Sequence, residues 1–114
     1  MPQNKAFVEA FRKEYNGRYP SVYAAQAYDV IMAMDAAVKQ AGGKASDREA
    51  IVQALAKADY PSVRGSYTYG KNHYPIQAYY LRVVDKDANG RITNKLVGKV
   101  FDKYQDVYVG DCKL

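Results

Sequence analysis

The sequence predicts an α/β chain: three helices followed by three mostly antiparallel strands. Two observations carry that prediction. Apolar residues recur at three-and-four spacing as far as Ala58, which is the helical period, and alternate from Arg64 onward, which is the strand period. Between the two regimes stands Asp59-Tyr60-Pro61, where the proline ring disfavours helix at Tyr60.

The first helix is expected over residues 5–15, with Asn4 as N-cap and Phe7, Phe11 and Tyr15 on one face beside Val8. Asn16-Gly17 supplies a left-handed stop, and Arg12 and Lys13 suit the negative end of the helix dipole. A second, longer helix starts after the cap Ser21 and runs to about residue 41. Its apolar stripe is Ala27, Val30, Ile31, Met34, Val38 and Ala41, its alanines favour helix, and Gly42-Gly43 ends it. Ser46-Asp47-Arg48-Glu49 matches a capping box, opening a third helix to about residue 58 with Ile51, Val52, Leu55 and Ala58 inward. Strands are expected over 66–69, 76–84 and 91–100, the last two joined by a turn at 85–90. Three helices and a small sheet leave apolar faces uncovered, which predicts either further chain or a second copy against them.

Composition narrows the class. Of 114 residues, 48% are hydrophobic and 25% charged, close to globular averages, so a disordered tail, a collagen-like repeat and a disulfide miniprotein are excluded. Uncharged stretches such as 19–28 fall short of the roughly twenty apolar residues that span a bilayer. No leader pattern opens the chain, so the leader of an exported protein is expected to lie outside these residues. The net charge of +5 is spread thinly, +1 over residues 1–60 and +4 over 61–114, with no run of four basic residues. Cys112, the single cysteine, has no internal partner for a disulfide. Twelve tyrosines and no tryptophan suit partly wet clefts and interfaces, and equally suit strands.

Few residues point to chemistry. Asp85 to Ile92 imitates the opening of a calcium loop, but Leu96 stands where the bidentate glutamate belongs, and Asp and Asn before Gly also make a plain hairpin turn. His73 is the only histidine, and no acidic or cysteine partner stands at ligand or triad spacing. No nucleophile elbow or glycine-rich phosphate loop occurs, so neither catalysis, a metal nor a cofactor is expected. At the start of the second helix, Ser21-Val22-Tyr23 presents backbone amides and the positive dipole end to a carboxylate. Tyr23 and Gln26, three apart, share a face there and frame a small ligand, or else Tyr23 simply packs at the helix start.

Two stretches resemble a known family. Asn4-Lys5-Ala6-Phe7-Val8-Glu9-Ala10-Phe11 and Pro20-Ser21-Val22-Tyr23-Ala24-Ala25-Gln26-Ala27-Tyr28-Asp29 resemble the C-terminal third of type I periplasmic solute-binding proteins, nearest the branched-chain amino acid (Leu/Ile/Val) receptors of ABC importers. Val63 to Tyr69 and Asn72-His73-Tyr74-Pro75-Ile76-Gln77 are similar to a subgroup that includes receptors for aromatic acids.

The resemblance implies a C-terminal segment of a two-lobed α/β protein, with Met1-Pro2-Gln3 an arbitrary start. Residues 1–74 would hold the helical part and first strand of one lobe, and 75–114 the hinge crossing and strands of the other. Tyr74, Pro75, Ile76 and Gln77 would form the hinge. Tyr23, by the same likeness, contacts the solute's side chain, while Gln26 stands where amino-acid receptors carry a small residue. The implied protein is periplasmic and not an enzyme. It binds a small carboxylate-bearing solute, a branched-chain amino acid or an aromatic acid, and hands it to a membrane permease. The isolated chain is expected to form a homodimer.

A different reading makes it a small basic module that stacks single-stranded nucleic acid on Tyr67, Tyr69, Tyr79 and Tyr80 beside Arg82 and Lys99.

Overall fold

The computed structural model describes residues 1–113 and contains helices α1 (Pro2–Glu14), α2 (Val22–Gln40) and α3 (Arg48–Lys57). They are followed by strands β1 (Thr68–Tyr69), β2 (Pro75–Lys86) and β3 (Ile92–Tyr104), and a short 3-10 turn (Val107–Asp111). The chain divides into two compact units, Met1–Ser66 and the residues from Tyr67 onward.

In the first unit, α1 begins earlier than its sequence suggests. Pro2 sits in the first turn, where its missing N–H costs nothing, and Met1 is the N-cap. Asn4 is therefore not a cap; its amide Nδ2 instead donates to the carbonyl of Val63 at 3.1 Å. The helix stops as expected, with Asn16 and Gly17 both at positive φ and the Gly17 N–H returning to the Arg12 carbonyl. Arg12 lies over the Tyr19 ring, 4.5 Å from its centre.

Ser21 caps α2 by accepting from the Ala24 N–H at 3.2 Å. The cap of α3 differs from expectation. Asp47, not Ser46, accepts from the Ala50 N–H at 3.1 Å, and Glu49 faces Gln53 rather than reaching back. The Asp carboxylate is the stronger acceptor, and the winding starts one residue later to use it.

The core of this unit is thin: Phe7, Ala37, Ala54 and Val63 are its buried hydrophobic residues. Phe7 packs its ring 4.8 Å from Tyr28 on α2 and 5.9 Å from Phe11. Ala33, Ala36, Ala37 and Gln40 of α2 face Ala54, Leu55 and Ala58 across a shallow crevice with no room for a water molecule, let alone a ligand. In the apolar stripe of α2, Val30, Ile31 and Met34 are exposed, in line with the expected uncovered apolar faces, whereas Val52 on α3, expected inward, is exposed as well. Helices approach closely where alanines meet, and small residues won the packed face.

In the second unit the strands lie in the order β1-β2-β3, all antiparallel. β1 is only two residues long, pairing Thr68 with Ile76 and Tyr69 with Pro75. β2 and β3 pair from Gln77↔Tyr104 to Lys86↔Ile92, with three irregularities that re-aim side chains between Gln77 and Arg82. Leu81, Val83, Val84, Leu96, Val97 and Phe101 are exposed, so apolar side chains occupy both faces of the ribbon. Strands patterned this way suit the interior of a layered sheet.

Candidate functional site

At the start of α2 the Ser21 hydroxyl holds the Ala24 amide, and the Ser21 carbonyl accepts from Ala25. That geometry presents the positive end of a 19-residue helix at Val22 and Tyr23. Tyr23 is 77% exposed, the ring and hydroxyl turned away from the packed faces. Gln26, one turn along, is exposed as well, so the pair offers a flat apolar wall, a hydroxyl and an amide on one side of the helix.

Tyr74, Pro75, Ile76 and Gln77 lie in the second unit, where a tight turn opens into β2. The Gly70 N–H donates to the Tyr74 carbonyl at 2.9 Å, the His73 N–H returns to Gly70, and His73 itself takes φ +59°. Asn72 braces this turn: its Nδ2 donates to Asp106 at 2.8 Å while its Oδ1 accepts from the Tyr74 N–H. Pro75 opens the strand, a position where a residue without an N–H is tolerated. Tyr74 is exposed, and Pro75 to Gln77 are half-buried.

The group that spacing missed is Asp29. Its carboxylate, 2% exposed, accepts from the Ser62 hydroxyl at 2.6 Å, the Val63 N–H at 2.9 Å and the Arg64 Nε at 2.9 Å. The Ser62 oxygen accepts in turn from the Arg64 N–H. A buried carboxylate is tolerated only when its lone pairs are filled, and here they are. With Asn4 holding the Val63 carbonyl, residues 62–64 are clamped between α1 and α2. One sequence signal existed: a lone charge inside the run from Ala24 to Met34.

Asp87 anchors the turn between β2 and β3. Its oxygens accept from the backbone N–H groups of Asn89 and Arg91 and from the Arg91 guanidinium at 3.1 Å. The Arg91 N–H first, with the Asn89 N–H and the guanidinium adding to it, holds this carboxyl below its ordinary range against a smaller opposing effect of burial. The calcium-like stretch is thus a hairpin turn whose aspartate is spent on the turn itself. Among the described residues no group of three or more His, Cys, Asp or Glu is placed to hold a metal ion, and no helix is long and apolar enough to cross a membrane.

Comparison with known proteins sharpens these observations. Residues 1–90 match the family described as periplasmic binding protein. The structure is similar to a solute-binding protein of an ABC transporter from R. palustris in complex with benzoate. The two share 34% identity over 98% of this chain and 29% of that one, with a TM-score of 0.80. It is also similar in fold to an ABC transporter substrate-binding protein from Sphaerobacter thermophilus. Identity there is 22% over 90% of this chain and 28% of that one, with a TM-score of 0.81. The chain therefore spans somewhat under a third of the length of either relative. No match was found among curated protein sequences. These likenesses do not favour the nucleic-acid reading of the tyrosine-rich sheet. Sequence match and fold agree: the chain belongs to the periplasmic binding protein family.

Proposed function

We propose that this chain contributes one wall and the hinge of the solute cleft in the substrate-binding component of an ABC importer. The solute is a small carboxylate-bearing molecule, an aromatic acid or a branched-chain amino acid, and the loaded receptor delivers it to a membrane permease from the periplasm. The relative with bound benzoate supports the aromatic-acid end of that range.

The observation that carries this reading is the state of Tyr23. A large ring 77% exposed at the positive end of a long helix is set out for a partner rather than used in the core. The ring supplies a stacking wall, its hydroxyl and the Gln26 amide supply hydrogen bonds, and the helix end favours the solute's negative charge. Residues 1–74 then belong to one lobe and 75–114 to the other, with Tyr74 to Gln77 as the crossing. Solute touching both lobes stabilises the closed form and shifts a hinge equilibrium that exists without it. This role requires binding and motion and no bond-making chemistry.

The test is a chimera in which this chain replaces the matching segment of the R. palustris protein. Tyr23→Ala is expected to weaken benzoate binding at least several-fold by calorimetry, with the unliganded melting temperature nearly unchanged. Unaltered affinity for both benzoate and leucine would remove Tyr23 from the cleft.

A further inference from the structure

We infer that β3 is a second strand of the hinge, latched to the turn before β2 by Asn72 and Asp106, and that this latch sets the balance between open and closed forms. The inference rests on the solute-cleft reading above and adds to it residues that act through the hinge rather than on the solute. Gln77, the last residue of the proposed crossing, pairs with Tyr104, so the end of β3 lies beside the crossing. Two residues later, Asp106 accepts from the Asn72 Nδ2 at 2.8 Å, and its other oxygen accepts from the Tyr108 N–H at 3.1 Å. The turn sits close against this tail: a Cβ added to Gly70 would stand 3.0 Å from Asn72 Oδ1 and 3.3 Å from Gln105 Nε2.

The ladder distinguishes two halves of the ribbon. From Arg82↔Leu96 to Lys86↔Ile92 the strands advance together, residue for residue. From Gln77↔Tyr104 to Arg82↔Leu96, β2 advances five residues while β3 covers eight, so β3 carries three extra residues there. Bulges interrupt the ladder bonds, bend the strand and raise its twist. One of them lies between Phe101 and Tyr104, where Lys103 takes φ +51°. That left-handed backbone suits glycine, and lysine holds it at a cost. Strain of this kind persists only where surrounding contacts impose it. Here they are the latch and the ring pairs Tyr79–Tyr104 and Phe101–Tyr104, with centroids 5.5 and 5.1 Å apart.

A bulged, strained half-ribbon beside the crossing gives the hinge a preferred angle, and the latch, between residues 34 apart, holds it there. Apparent affinity falls with the fraction of protein in the binding-competent form. Whatever shifts that fraction therefore changes affinity without altering a single solute contact. Tightening the ribbon and releasing it have to act with opposite signs.

Three variants test this. Asn72→Asp keeps the acceptor for the Tyr74 N–H but sets a carboxylate against Asp106, which opens the latch. Adding Asp106→Asn puts a donor opposite an acceptor again and closes it. Lys103→Gly removes the backbone cost and tightens the bulge. In the full chain, amide exchange at residues 77–81 and 98–104 is expected to quicken about tenfold in Asn72→Asp and to return in the double variant. It should slow in Lys103→Gly, with 82–86 unchanged throughout. In the R. palustris chimera, Asn72→Asp and Lys103→Gly are expected to move benzoate affinity in opposite directions, each by about threefold or more. Spin labels, one on each lobe, should report matching shifts in the unliganded interlobe distance. Exchange that is unchanged, or that quickens equally at 82–86, would overturn the latch. Altered exchange with neither distance nor affinity changed would overturn its role in the hinge. Shifted distances in a chimera that binds neither benzoate nor leucine would uphold the hinge device and remove the solute-cleft reading instead.

Discussion

Asp29 and Asp87 hold their surroundings with the same set of bonds and to different ends. Each carboxylate accepts from two donors within the next few residues of its partner segment and from an arginine Nε. For Asp87 every donor lies two to four residues away, on the exposed turn between β2 and β3. For Asp29 the donors lie 33 to 35 residues away and the oxygens are out of water. The first arrangement shapes a turn that Asn89-Gly90 already favours. The second closes a long loop and fixes the segment after α3 against α2, which local preference cannot do.

Breaking the buried member of the pair should do most damage. Asp29→Ala leaves the Ser62 hydroxyl, the Val63 N–H and the Arg64 guanidinium without their shared acceptor, at a cost of about 3 kcal/mol. In a unit with so thin a core, urea denaturation should show most of its cooperative transition lost. A midpoint close to wild type would mean that the cluster is dispensable.

Asn4→Ala probes the other side of the same clamp. The lost bond to the Val63 carbonyl is worth ~1 kcal/mol, and the better helix propensity of alanine returns ~0.5 kcal/mol. The expected net loss is about 0.5 kcal/mol, measurable as a small shift of the same urea midpoint. A stabilised variant would show that α1 does not depend on this contact.

Asp87→Ala should be the mildest, leaving the midpoint at neutral pH in place while amide exchange at Asn89 and Arg91 quickens. The sign of its pH dependence follows from a carboxyl held below its ordinary range in the folded state. The turn's contribution is complete above the unfolded carboxylate value of about 4 and fades as pH falls below it. Amide exchange in this turn that stayed unchanged down to pH 2 would remove Asp87 as its anchor.

The local geometry around the proposed site residues was largely legible. Ser21 as cap, Tyr23 and Gln26 on one side of the helix start, and the turn before Pro75 all follow from nearest neighbours along the chain. Asp29 was not legible as a clamp, because its partners are set by how α3 returns to α2 and not by any spacing around position 29. Asn4 was misread for a similar reason. Its cap-like chemistry was real, but Pro2 started the helix earlier and left the amide for Val63.

Sequence alone determined the order of elements, the change of period at Pro61, the stops at Gly17 and Gly42, and the turn around Asp87. These are outcomes of short-range sterics and hydrogen bonding, which a few consecutive residues decide. Tertiary structure alone decided which face of α2 is packed. Periodicity reports that Val30, Ile31 and Met34 form an apolar stripe, and it reports the alanine face through Ala33 and Ala37 equally well. Only the close approach of α3 selected the small residues, since helix axes draw near where side chains are short, and left the larger stripe facing outward.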